Sequence, residues 1–361
     1  MERTNPQAGK KKIIYVEIIR ITAILFVIFN HTKQQGYMLF TLCEKGSFQY
    51  WFNMFFSVIT GIGVPLFFML SGMLLIGKDE PIGYVWKKRI LKYVVILFVF
   101  SLINYVLKNS YQPCFSIKDF LKQIYTDKVI VPYWFLYSYI SFLIALPLIR
   151  RMARNMTDKE FCYLFGLQIA FNGVISILQY RLSDGTLALN GLINPYALVN
   201  DVVFYPLIGY YLGNKLKNVT GKMCLYSFLL ALVSIAVTMY MTNFRISLTG
   251  ELDESKVGLF YDSLRSLQVI FVFLVIRKLF ENRKLPVNVE KVVSNLGGCV
   301  LGIYLIEDIF RDGFYYIYEA VSTVITGFIA IRIYVVFVFL VCWLIVALFR
   351  FVLGYFHRLK A

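Results

Sequence analysis

Apolar residues recur along the chain in runs of about 20, separated by short polar segments rich in lysine and arginine. About 20 residues at 1.5 Å each carry an α-helix across the hydrocarbon core of a bilayer, whereas strands of a membrane barrel alternate and are short. The pattern predicts an all-α integral membrane protein with about ten transmembrane helices, at 13–33, 51–76, 90–108, 131–149, 161–180, 201–214, 223–242, 258–277, 296–316 and 326–349. The sixth of these is short, and the ninth is polar at its outer end. With no fixed-period repeat and no appended soluble domain in the pattern, residues 1–361 read as a single transmembrane domain. Residues 1–12 and 350–361 are its tails.

Composition supports this. The chain is 59% hydrophobic and only 16% charged, where a soluble domain carries about 25% charged residues. A formal charge of +16 would suggest nucleic acid in a soluble protein, but here the cations sit between spans and report topology, so no nucleic-acid partner is expected. On alternate connecting segments they number 23 against 10, which predicts that both termini are cytoplasmic. The basic N-terminus followed by an apolar run is signal-like. Glu17 and Arg20 interrupt that run, however, and no small-residue cleavage site follows, so an uncleaved first span is expected. The six cysteines fit no metal-ligand spacing, and no metal is predicted. Placement of Cys43 and Cys114 in expected outer loops is too little to predict a disulfide.

Chemistry concentrates in the first span, IIYVEIIRITAILFVIFNHTK, which carries Glu17, Arg20 and His31. Charges inside a span are costly, which makes such residues functional candidates. Eleven residues separate Arg20 from His31, about three helical turns and roughly 16 Å of rise, so the two share a face. Glu17 lies one turn before Arg20, within pairing reach. A snorkelling Glu17 and Arg20 at the membrane boundary is the alternative. His31 is one of two histidines, the other being His357 near the C-terminus.

Further candidates follow along the chain. GIGVPLFFMLSGMLL from Gly61 is rich in small residues, with Gly63, Ser71 and Gly72 allowing close approach by a neighbour or a ligand. WKKRILKY from Trp86 places Arg89 and Lys92 on adjacent turns at a cytoplasmic mouth, where they can flank the span or clamp phosphates. Tyr133, Trp134, Tyr137 and Tyr139 form an aromatic cluster at the outer interface, explained by an interfacial belt or by stacking on sugars. Asp262 and Arg265 can pair. Glu307, Asp308, Arg311 and Asp312 lie in the outer half of the ninth span, with Arg332 as a potential partner.

In order, these stretches resemble the acyltransferase-3 family of integral membrane O-acyltransferases. Glu17, Arg20 and His31 match the family's first-span pattern, VPLFFMLSGMLL its Phe-Phe-x-x-Ser-Gly signature, and Arg89 its paired basic motif. YWFLYSYISFLIALPLI, VVFYPLIGYYLG and LGIYLIE are similar to later signatures. The sequence departs from the family at Lys92, which stands for a second arginine, and at Glu307, where many members have histidine.

The resemblance implies a multi-pass protein of a bacterial cell membrane. Its donor would be acetyl-coenzyme A, or another acyl-coenzyme A, and its acceptor a hydroxyl of a cell-surface or lipid-linked carbohydrate. Arg20, Arg89 and Lys92 would hold the donor's phosphates, and the small residues around Ser71 would admit its pantetheine arm. His31 would be the general base, with Glu17 holding Arg20, while Tyr133, Trp134, Glu307 and Asp308 would line the acceptor side. Expected partners are the lipid bilayer and the carbohydrate, with a homodimer or a separate extracytoplasmic transferase left open. The rival reading is a multi-span transporter or flippase, which intramembrane charges and Gly/Pro-broken spans also fit. Against it, the chain shows no pair of matching broken spans.

Overall fold

The computed structural model describes residues 13–109, 116–183, 190, 192–193, 195–249 and 261–359. Cys114 and the side chains of Asp262 and His357 lie outside that set. Among the described residues there are helices and turns and no strand. The helices that form or support the site are α1 (Ile14–Asn30), α2 (Phe48–Thr60), α3 (Gly63–Leu75), α4 (Leu91–Asn109), α5 (Trp134–Asn155), α6 (Asp201–Tyr210), α7 (Gly221–Thr249), α8 (Tyr261–Phe280), α9 (Val287–Gly313) and α10 (Gly327–Leu359).

Seven expected spans become helices long and apolar enough to cross a membrane: Phe48–Leu75, Ile82–Leu107, Val131–Asn155, Asp158–Gln179, Gly221–Ser247, Val287–Gly313 and Gly327–Tyr355. The expected spans at 13–33, 201–214 and 258–277 are helical but do not meet that description, so the count of ten is not reached among the described residues. Length and polarity explain why. α1 has 17 residues, about 25 Å, and carries Glu17 and Arg20. α6 has 10 residues and runs into a π-helical turn at Tyr211–Lys215, and α8 carries Arg265, Gln268, Arg277 and Lys278.

These helices are inner ones. α1 packs against α3, α8, α9 and α10; α6 lies on α3 and α5; α8 lies on α7 and α1. Surrounded by protein, they need no apolar surface for lipid. α1 threads both large apolar clusters, placing Tyr15, Val16, Ile19 and Ala23 in one and Ile24, Val27, Ile28 and Phe29 in the other.

Small residues set the closest crossing. A Cβ on Gly72 would overlap the Pro206 carbonyl, and one on Gly209 the Met69 carbonyl, so the backbones of α3 and α6 touch there. Gly63 similarly faces the Ala23 carbonyl and Val27 of α1. Gly63 and Gly72 therefore serve packing; of the trio expected to make room for a donor, Ser71 alone faces open space.

Candidate active site

The N-terminal half of α1 sets one part of the site. Arg20 donates from Nη1 to Glu17 Oε1 at 2.9 Å, and the Glu17 side chain is only 4% exposed. Burial of that carboxylate depends on α9, because a Cβ at Gly297 would strike its Oε2. Arg20 opens instead onto a cavity of about 590 Å³. All four residues expected on the donor side line it: Arg20, Ser71, Arg89 and Lys92. So do Lys78 and Lys88, which belong to the connecting-segment cations that report topology, and an apolar wall of Phe67, Phe135, Tyr139 and Tyr304. Five cationic side chains around one cavity whose far wall is aromatic suit an elongated ligand, anionic at one end and apolar at the other.

Arg89 reaches this cavity from a π-helical turn, Val85–Ile90, which widens the helix start where Lys87, Lys88 and Arg89 leave it. Its guanidinium is held by Glu80: Nε donates to Oε2 at 2.7 Å and Nη2 donates to Oε1. Arg150 Nη2 donates to the same Oε2 at 2.7 Å. Glu80 lies between spans, and chiefly the hydrogen bond from Arg89 holds its carboxyl down at about 2, with burial opposing and Arg150 adding. Neither Glu80 nor a bridging role for Arg150 was foreseen. The only signal was an acid nine residues before Arg89, across a turn.

At the other end of α1 the chain must turn. Thr32 Oγ1 donates to the Phe29 carbonyl at 2.6 Å, and Lys33 takes a left-handed conformation (φ 50), which stops the helix just beyond His31. His31 Nδ1 lies 2.5 Å from Glu307 Oε1 of α9, whose side chain is fully buried. Against a carboxylate, which only accepts, Nδ1 is the donor, and the other ring nitrogen is then free to accept. Glu307 Oε2 lies 3.7 Å from Arg311 Nε, and Arg311 also pairs with Asp308 and, at 2.9 Å, with Asp312.

His31 lines a second cavity of about 170 Å³ with Asn30, Tyr37, Trp134 and Arg265. Of the residues expected on the acceptor side, Trp134 alone is there. Glu307 is turned onto His31 and Asp308 onto Arg311. Tyr133 is buried in the core, donating to the Leu305 carbonyl at 2.8 Å and accepting from Asn104 Nδ2 at 2.9 Å. Arg332 does not meet these acids. Its guanidinium sits 3.5 Å and 4.0 Å from the ring centroids of Phe328 and Phe56, a cation–π cage.

The two cavities are stacked on shared helices in a consistent order. Along α1 the first cavity takes Arg20 and the second Val27, Asn30 and His31; along α3 the first takes Leu75 to Phe67 and the second Val64. On α5 Leu143, Tyr139 and Phe135 face the first cavity and Trp134 the second. α9 gives Gly297 to Tyr304 to the first, with Glu307 one turn further on behind His31. Between them stand Phe67, Phe135 and Tyr304, with ring centroids 6.0 Å and 5.6 Å apart in series.

An amino-acid racemase of Enterococcus faecalis is 28% identical over 159 residues, a match covering 42% of this chain and 21% of that protein. The chain thus matches only about a fifth of that relative's length. No solved structure matches. The family model for the acyltransferase domain, however, matches residues 13–347, from the first turn of α1 to near the end of α10, and so takes in both cavities. The chain belongs to the acyltransferase-3 family.

Proposed function

We propose that the protein is an O-acyltransferase that moves an acyl group, taken to be acetyl, from cytoplasmic acyl-coenzyme A to a hydroxyl of a cell-surface or lipid-linked carbohydrate. The observation that carries this reading is the stacking, on the same helices, of a cation-lined cavity and a cavity holding a carboxylate-backed histidine. Phosphates of the donor would sit among Arg20, Lys78, Lys88, Arg89 and Lys92, with the pantetheine arm running past Ser71 toward the aromatic partition. The thioester would meet His31 where Phe67, Phe135 and Tyr304 part. On the other side, Trp134 offers a stacking plane to a sugar ring, and Asn30 an acceptor for a hydroxyl.

In the reaction, the free nitrogen of His31 takes the acceptor's proton as its oxygen attacks the thioester carbonyl. Collapse of the tetrahedral intermediate breaks the carbon–sulfur bond, and the proton on His31 passes to the departing thiolate. Glu307 stabilises the imidazolium that exists between these steps. Charge bias between connecting segments supports a cytoplasmic first cavity, hence a cytoplasmic donor and an outer acceptor. The racemase activity named for the relative is not carried over, since the match covers 21% of that protein.

Purified protein in vesicles with labelled acetyl-coenzyme A should release coenzyme A and pass label to cell-surface polysaccharide. Cells without an active copy should lose one O-acyl ester from that polysaccharide. Protein that leaves acetyl-coenzyme A intact while moving a polar solute across the vesicle would be a transporter, and the reading would fall.

A further inference from the structure

One cation of the first cavity, Arg89, already holds an anion that the protein supplies. Glu80 occupies the Nε–Nη2 fork of Arg89, the edge by which a guanidinium takes two oxygens of a carboxylate or a phosphate. Two anions cannot share that edge. Glu80 has a second partner of a different kind in Arg150, whose side chain is 5% exposed and does not line the cavity. Arg150 is tied to the turn that carries Glu80, donating from Nε to the Leu75 carbonyl at 3.0 Å and from Nη1 to the Glu80 carbonyl at 3.3 Å. Arg89 is more open, at 19%, and faces the cavity. One partner of Glu80 is therefore built into the fold, and the other is exchangeable.

We propose that Glu80 is the resident counter-anion of the donor site, giving up Arg89 and staying on Arg150 when a phosphorylated donor binds. This rests on the donor reading above and adds a determinant of donor choice to it. A donor must bring enough negative charge to outcompete a carboxylate in its own fork. Polyphosphorylated thioesters meet that demand, whereas an acyl-pantetheine without phosphates does not. Glu80 also keeps Arg89 compensated while the cavity is empty, which favours a half-buried cation beside an apolar wall.

The sign of one substitution separates this role from a merely structural one. A residue that only positions Arg89 should weaken anion binding when lost, while a competitor should strengthen it. The probe is free coenzyme A, titrated at fixed ionic strength into the full chain in lipid nanodiscs, for wild type, Glu80→Gln and Glu80→Asp. Glu80→Gln should bind about five- to tenfold more tightly. Glu80→Asp keeps the charge but withdraws it by one methylene, and should fall between the two. Should the glutamine variant not fold, the aspartate variant still decides the sign. Weaker or unchanged binding in a folded variant overturns the proposal and leaves the donor reading standing. No binding in any of the three, wild type included, overturns both.

Discussion

Replacing Glu307 with glutamine tests the heart of the site. The carboxylate is fully buried and lies 2.5 Å from His31 Nδ1, while Arg311, its other neighbour, keeps Asp308 and Asp312. Glutamine has nearly the same shape, so packing around α1 and α9 is retained and what is lost is the charge. A hydrogen bond to a charged group contributes about 1.5–3 kcal/mol. At about 1.4 kcal/mol per tenfold, that corresponds to roughly a 10- to 150-fold loss of rate. The loss should fall on kcat, because the imidazole is charged only once it has taken the acceptor's proton, and the carboxylate then counts most. A glutamine amide can also donate to Nδ1, which would put the ring proton on the wrong nitrogen and deepen the loss. Initial rates of label transfer against acetyl-coenzyme A concentration give kcat and KM, and a melting curve in detergent confirms the fold. A folded variant with kcat within about threefold of wild type would mean that His31 reacts without Glu307, and the mechanism above would be wrong. A change confined to the donor's KM would move Glu307 from the reacting end to the binding end.

Arg20→Lys keeps the charge but loses the planar fork, and should raise the donor's KM about tenfold; steady-state kinetics with normal KM would return Arg20 to a boundary role. Gly72→Val should prevent stable folding, since a Cβ there overlaps the Pro206 carbonyl, where ordinary overpacking costs about 1–3 kcal/mol; a monodisperse, wild-type-like melting profile would refute the backbone contact. Glu80, held down at about 2 chiefly by Arg89, contributes stability that is present above its ordinary value near 4.5 and lost as pH falls toward 2. Detergent melting curves between pH 6 and pH 3 should therefore drop more for wild type than for Glu80→Gln, and parallel drops would sink that assignment. Single cysteines placed at Ser47 and Asn190, in a background without native cysteines, should be labelled in intact cells by an impermeant thiol reagent, and one at Asn155 should not; the reverse pattern would put His31 on the cytoplasmic face.

Spacing made the reacting helix legible in the sequence. Arg20 and His31 lie on one face because eleven residues make just over three turns, and each opens onto its own cavity. The family resemblance, not spacing, grouped Ser71, Arg89 and Lys92 with Arg20 as expected donor residues, and all four line the same cavity. Pairings between distant segments were not legible. Glu307 is 276 residues from His31, and whether an outer-half acid faces a ligand or a catalytic base depends on how α9 is rotated against α1. Rotation there is set in part by Gly297, which admits the Glu17 carboxyl, a constraint visible only once the helices are packed. Tyr133 and Trp134 show the same limit at single-residue scale: adjacent in sequence, one is buried under Leu305 and the other faces the His31 cavity.

Why the inner helices escape an apolar reading follows from the same packing. A span that meets lipid must be long and apolar on its outer side, and Gly327–Tyr355 and Ile82–Leu107 are both, with most of their residues facing outward. α1, α6 and α8 meet protein instead, so selection for lipid solubility does not act on them. They are free to be short, to begin or end in wide π turns, and to hold charge where a neighbour can compensate it. That freedom is what the proposed transfer would need. Arg20 and His31 are accommodated on α1, which packs against α3, α9 and α10, and Glu17 and Glu307 meet each in turn. Of the three inner helices α1, α6 and α8, α1 gives residues to both cavities and α8 gives Arg265 to the second, so weak membrane signals and cavity lining coincide in two of them.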